Sequence, residues 1–239
     1  MKILLRIAHV IDWISERLGA ISVVLVIATI VIGAVNPVLR YVGRTANIDL
    51  YGELTRALIG SRVPQNQLIE IQWYLYAMMY LLGFPYILKH GVNVRVDFLY
   101  SRWSPKRRAL VDFIGTLIFL IPFCLLGLYV MLPPVLFSWG FTSNAPPQDL
   151  FAFLGGLRDT GAIELSGDPG GLPRPYIKSF IIVGFIFLLL QAVAQAIKYL
   201  AVLVGHNEVL EEIVADEVVG EKELQELVKE VAQRAPTTH

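Results

Sequence analysis

A single cysteine, Cys124, in 239 residues leaves no room for an intrachain disulfide framework or a CxxC metal pair. Lying inside an apolar run, it reads as a buried, inert thiol. Charge is also scarce. Asp, Glu, Lys and Arg make up 17% of the chain, against ~25% in an average soluble domain. With 55% hydrophobic residues and a mean hydropathy of +0.59, the expected solvent for much of the chain is a bilayer. Twenty basic and twenty acidic residues cancel, so no basic excess exists to attract nucleic acid. Catalytic signatures are missing too: there is no HExxH, no GxSxG and no phosphate-cradling glycine loop. His9, His90, His206 and His239 all fall away from the centres of the apolar runs, which argues against a pair of axial haem ligands within a span. The expectation is a non-enzyme with no cofactor and no metal site.

What the sequence does contain is long hydrophobic stretches. A helix needs ~20 apolar residues to cross the hydrocarbon core. Four segments meet that need: Leu18–Leu39 between Arg17 and Arg40, Ile71–Leu88 between Glu70 and Lys89, Phe113 to about Ser138 after Asp112, and Ser179–Ile197 between Lys178 and Lys198, with a continuation toward Val204. An unpaired backbone cannot sit in lipid, and barrel strands would be shorter and alternate in polarity, so these are predicted helices. The first run is too long for a signal peptide and follows Asp12 and Glu16, so it is expected to be retained. The spans hold no charge in their interiors, where a transporter core would carry ion and substrate ligands.

Basic residues orient the chain. Lys89, Arg95, Arg102, Lys106, Arg107 and Arg108 lie between the second and third runs, and Lys2, Arg6 and Arg17 precede the first. Both segments are therefore expected in the cytoplasm, although Arg44, Arg56 and Arg62 in the first loop reduce the contrast. Trp13, Trp73, Trp103 and Trp139 fall near predicted helix ends, where indole prefers the headgroup layer.

The fold class expected is all-α integral membrane, with four transmembrane helices. Residues 1–205 form a membrane domain with spans at about 18–39, 70–89, 112–138 and 177–204 and an extramembrane loop at 140–175; residues 206–239 form an acidic cytoplasmic tail. Leu4, Ile7, Ile11, Ile14 and Leu18 make an apolar stripe, read either as an amphipathic interfacial helix before the first span or as a plain extension of that span. The Gly- and Pro-rich loop has no regular period and reads as a cap outside the membrane. In the tail, acidic residues alternate with Leu, Ile and Val at helical spacing, giving a helix broken near Gly220. Either it is a solvated tail or it docks on a cytoplasmic surface.

Charges at the span ends carry the remaining information. Arg40 closes the first run and Glu70 opens the second, so they read as pairing with each other, contacting a partner subunit, or snorkelling to the headgroups. After the second run comes Gly91-Val92-Asn93-Val94-Arg95-Val96-Asp97, then Pro105 and Arg108. Arg95 and Asp97 read as locking this turn, or as solvated loop charges; the basic turn itself would attract anionic membrane lipids.

Arg40-Tyr41 at one helix end, Glu70 at the mouth of the next and the Gly91–Asp97 run together resemble the small membrane subunit of tripartite ATP-independent periplasmic (TRAP) transporters, the DctQ-like family. That family's turn reads G-x-H-V-R-V-D; Gly91, Val94, Arg95, Val96 and Asp97 match it, and Asn93 stands where histidine is usual. The resemblance covers roughly residues 10–204. It implies a bacterial inner-membrane protein with both termini in the cytoplasm. It also implies a large DctM-like partner carrying the sodium and substrate sites, and a periplasmic substrate-binding protein that delivers an organic acid. The small subunit would then act as scaffold for a symport reaction, with sodium coupling in the large subunit. Two other readings remain: a membrane anchor of a respiratory enzyme, and a self-contained small carrier or channel.

Overall fold

Amides and carbonyls left unpaired in hydrocarbon are prohibitively unfavourable, and helix pairs them within one segment. In the computed structural model, residues 1–46, 49–60, 65–91, 103–168, 171–206 and 208–216 are described, and most of them are helical. Helix α1 is Lys2–Ala46, α2 is Leu50–Ile59 and α3 is Gln65–Lys89. Helix α4, Pro105–Gly115, runs through a π-turn at Thr116–Leu120 into α5, Ile121–Ser138. Helix α6 is Leu150–Gly155, α7 is Pro175–Val204, and residues 208–216 are helical again. Strands β1, Phe141–Thr142, and β2, Arg158–Asp159, pair antiparallel, with Phe141 opposite Asp159 and Thr142 opposite Arg158.

Three stretches are long and apolar enough to cross a bilayer: Lys2–Ala46, Lys106–Ser138 and Pro175–Val204. They contain the first, third and fourth spans expected from sequence. Helix α3 covers the expected second span and has 25 residues, but it is not among the three. Gln72, Trp73, Tyr74, Tyr76, Tyr80 and Tyr86 put polar atoms along it and lower its hydropathy.

The amphipathic stretch is not a separate helix. No proline or loop residue interrupts it, so the backbone ladder continues unbroken from Lys2 into the span. The apolar stripe is buried only in its second half. Leu4 and Ile7 are exposed, while Ile11 and Leu18 are buried together with Ala8, Asp12 and Ser15. In lipid, apolar side chains gain little by turning inward, so small residues that permit close contact and polar residues that need partners occupy the interior.

The π-turn has a local cause. Pro122 has no N–H, and its ring would collide with the carbonyl four residues back. Widening the turn to i→i+5 bonding relieves this, and Ile121 N–H reaches Thr116 O. Further along, a Cβ on Gly127 would lie 2.5 Å from the Phe185 ring, so the two helices touch only because no side chain stands there. Gly127→Ala should destabilise the protein by ~1–3 kcal/mol through overpacking, read as a lower unfolding midpoint in detergent.

Two compact units are built, one from the described parts of Met1–Gly19, Phe84–Cys124 and Phe187–His239, the other from those of Ala20–Gly83 and Leu125–Ile186. In the first, Val209 joins Ala109, Tyr199, Ala201 and Val202 in a buried cluster, with Leu210 and Ile213 packed against it. The start of the acidic tail therefore docks on the chain's own helices. The break expected near Gly220 lies outside the described residues.

In the second unit, the described residues of the loop after α5 contain structure that its composition did not suggest. Asp149 starts α6 by accepting from Ala152 N at 3.2 Å. Phe153 on α6 is fully buried and meets Phe137 edge-on at 5.3 Å. Gly140 has φ +87, and a Cβ there would sit 2.8 Å from Ala162 O, so only glycine fits the turn into β1.

Candidate functional site

Polar residues on two helices of the first unit recur on one face: Asp12, Ser15 and Glu16 on α1, and Gln191, Gln195 and Lys198 on α7. Both sets turn inward, and the helices bond through them. Ser15 Oγ donates to Gln191 Oε1 at 2.6 Å, and Gln191 Nε2 donates to Asp12 Oδ1 at 2.9 Å. Lys198, 1% exposed, places Nζ 2.6 Å from Asp12 Oδ2, 3.2 Å from Glu212 Oε1 and 3.6 Å from Asp216 Oδ2. One buried ammonium thus joins α1, α7 and the docked tail.

A second cation extends the cluster. Lys89, at the end of α3, donates to Glu16 Oε1 at 2.5 Å and lies 3.8 Å from Asp216 Oδ1. His90 Nε2 stands 2.9 Å from Glu16 Oε1, and its Nδ1 stands 3.3 Å from the Asp216 carbonyl. Gln195 Nε2 donates to the carbonyls of Leu88 and Lys89, at 3.3 and 3.1 Å, which lack an i+4 helical partner where α3 ends. His9 Nε2 lies 3.1 Å from Glu212 Oε2. Burial pushes the Glu212 carboxyl up, but Lys198 and His9 outweigh that and hold it below its ordinary value.

Two carboxylates organise the second unit. Glu70, in the second turn of α3, accepts from Ser166 Oγ on one oxygen and from the Leu172 N–H on the other. Glu164 joins the end of α5 to the start of α7. Its Oε2 accepts from Ser138 Oγ at 2.6 Å and from Lys178 Nζ, its N–H donates to Ser138 O at 3.0 Å, and its carbonyl accepts from Arg174 N at 3.0 Å. Trp139 Nε1 donates to Ser179 Oγ at 2.8 Å, and its ring meets Tyr176 edge-on at 5.2 Å.

The Lys178 bond, then the Ser138 bond, hold the Glu164 carboxyl below its ordinary value. A depressed carboxyl stabilises the fold above its unfolded pKa, and that contribution is lost as pH falls through the folded value. Acidification below the ordinary carboxylate range should therefore loosen the loop, seen as faster amide exchange at Glu164 and Arg174, and Glu164→Gln should abolish this dependence.

Of the residues singled out from sequence, Glu70 has a role, though not the pairing with Arg40. Arg40 is exposed on α1, and both Glu70 oxygens are taken by the chain's own loop. Gly91 follows α3 with φ +61 and donates its N–H to Leu88 O at 3.4 Å. Asn93, Val94, Arg95 and Asp97 lie outside the described residues. Asp12, Glu16, Lys89, His90, Glu164, Gln191, Gln195 and Lys198 went unremarked as a group. A signal for them existed: Gln191, Gln195 and Lys198 follow i, i+4, i+7, and apolar residues 199–204 continue beyond the lysine.

Long apolar helices with buried, mutually paired charges, together with a family match, define a multi-pass inner-membrane protein of transport type. Over residues 48–201 the sequence matches the family described as tripartite ATP-independent periplasmic transporters, DctQ component. The match covers more than half of the chain, and the protein belongs to that family: it is a TRAP-transporter small permease subunit. The family is one of transporter components, not of enzymes. No curated protein and no solved structure gives a significant match. The match starts at Ile48, so α1 lies outside it, whereas the resemblance read from sequence began near residue 10.

Proposed function

We propose that this subunit is the fixed scaffold of a sodium-driven TRAP transporter. It packs against the large membrane subunit, which carries the ion and substrate sites and takes up an organic acid delivered by a periplasmic binding protein. One observation carries the reading. Among the described residues, the buried charged side chains Asp12, His90 and Lys198 all have partners within the chain. None of these three is left unpaired to bind a sodium ion or a carboxylate in transit. The exposed face of α1, with Val23, Val24, Ile27, Ile30 and Val31, is suited to lipid or to an apolar subunit surface.

In this reading α3 is the fourth crossing. Its 25 residues give ~38 Å of helix, more than the ~30 Å hydrocarbon core. Four crossings return both termini to the cytoplasmic side, as the basic residues around α1 and α4 favour.

Reconstitution tests the division of labour. The chain alone in sealed vesicles should show no sodium-driven uptake, and the chain with its large subunit and binding protein should show it. Solute accumulation by this chain alone would overturn the proposal. Glu70→Gln probes the loop anchor in the same complex. An amide nitrogen opposite one of the two donors leaves it unsatisfied, at ~1–3 kcal/mol, so faster exchange at Leu172 and weaker co-purification with the large subunit are expected.

A further inference from the structure

A cavity of about 310 Å³ opens in the second unit between the first turns of α3 and α7. Such a volume is at the small end of ligand sites, which run ~300–1,000 Å³, and suits a headgroup rather than a whole lipid. We propose that it binds the zwitterionic headgroup of an aminophospholipid, the phosphate on Arg174 and Lys178 and the ammonium on Glu70 and Asp168.

All four charged residues line the cavity. Arg174 and Asp168 are exposed. Lys178 has donors beyond the one given to Glu164, and Glu70 has further lone pairs beyond those taken by Ser166 and Leu172. A site with both signs side by side matches a ligand with both signs. An anionic lipid would satisfy the cations and leave two carboxylates facing it, and a choline headgroup carries no N–H to donate to them. The wall supplies the rest. Ile69, Trp73 and Ala77 recur every four residues, forming an apolar strip of ~12 Å down α3 along which an acyl chain can lie. Trp73, 73% exposed, stands where indole meets headgroups. The inference rests on α3 and α7 standing in the bilayer, and not on what the assembled transporter carries.

Native mass spectrometry of the full chain, titrated with dioleoyl phosphatidylethanolamine, phosphatidylglycerol and phosphatidylcholine, tests it. Phosphatidylethanolamine should bind at least ~5-fold more tightly than either other lipid, the effect of ~1 kcal/mol. Arg174→Ala should weaken it about tenfold, the scale of one charge-assisted hydrogen bond, while Arg44→Ala, another exposed cation, leaves it unchanged. If Arg174→Ala does not fold, Arg174→Lys decides, because it keeps the charge and loses the fork; an unaltered preference among the three lipids would then count against the site. Equal binding of all three lipids rejects headgroup recognition. Glycerophosphoethanolamine binding as tightly as the lipid would mean a soluble ligand. Loss of the bound lipid on assembly with the large subunit would mean that the partner fills the cavity. Binding of no lipid at all would reject the site.

Discussion

Lys198→Met is expected to destabilise the protein by ~3–5 kcal/mol, the scale found when one partner of a buried ion pair is removed. The lysine is 1% exposed and faces Asp12, Glu212 and Asp216 within 3.6 Å. Without the ammonium, Asp12 keeps Gln191 on one oxygen and has its other oxygen buried with no cation. The two tail carboxylates lose the group that draws residues 208–216 onto the helices. Two measurements follow: an unfolding curve in detergent micelles, and limited proteolysis of the tail, which should cleave near residue 208 much faster in the variant. Asp12→Asn combined with Lys198→Met should recover part of the loss, since the double variant leaves fewer unpaired charges. A loss below ~1 kcal/mol for the single variant would show that water solvates the cluster and that it is no lock.

Phe153→Ala should have an effect of similar size, ~3–5 kcal/mol, at the other unit. Phe153 is fully buried although it sits on a six-residue helix in a loop, packed edge-on against Phe137 of α5. A helix of that length has no independent stability in water, so its order depends on this side chain and on the Asp149 cap. Truncation should free the whole loop: amides between 141 and 164 should exchange faster, and the Glu164 bonds to Ser138 and Lys178 should weaken with them. Protection confined to its wild-type level would mean that the two carboxylate anchors alone hold the loop. The neighbouring Phe151 is exposed, so Phe151→Ala serves as a matched control with little change expected.

Three of the four expected spans lie in helices long and apolar enough to cross a bilayer, and they were legible because lipid demands uninterrupted apolar runs. What was not legible was the direction of the faces. Leu4 and Ile7 point outward while Ile11 and Leu18 of the same stripe are buried, and Asp12 turns inward because Lys198 and Gln191 pair with it there. Lys198 was read as a boundary because a lone lysine after an apolar run usually is one; only its spacing from Gln191 and Gln195 indicated a buried partner. Helices α2 and α6 hid in loops, although each begins after an aspartate that caps it, Asp49 and Asp149. Ten residues, or six, carry too little periodicity to be seen against glycine and proline. Glu70 stood out at the mouth of an apolar run, and its bonds to Ser166 and Leu172 were not legible because loop residues a hundred positions away leave no mark near it.

The widened turn before Pro122 resets the phase in which Ile121–Cys124 follow α4. Each α-helical residue advances ~100° around the axis, so one surplus residue in Thr116–Leu120 turns the remainder of that rod by nearly a third of a revolution. Loss of one amino acid at Thr116–Leu120 would carry Leu125, which is exposed, into the fully buried place of Cys124.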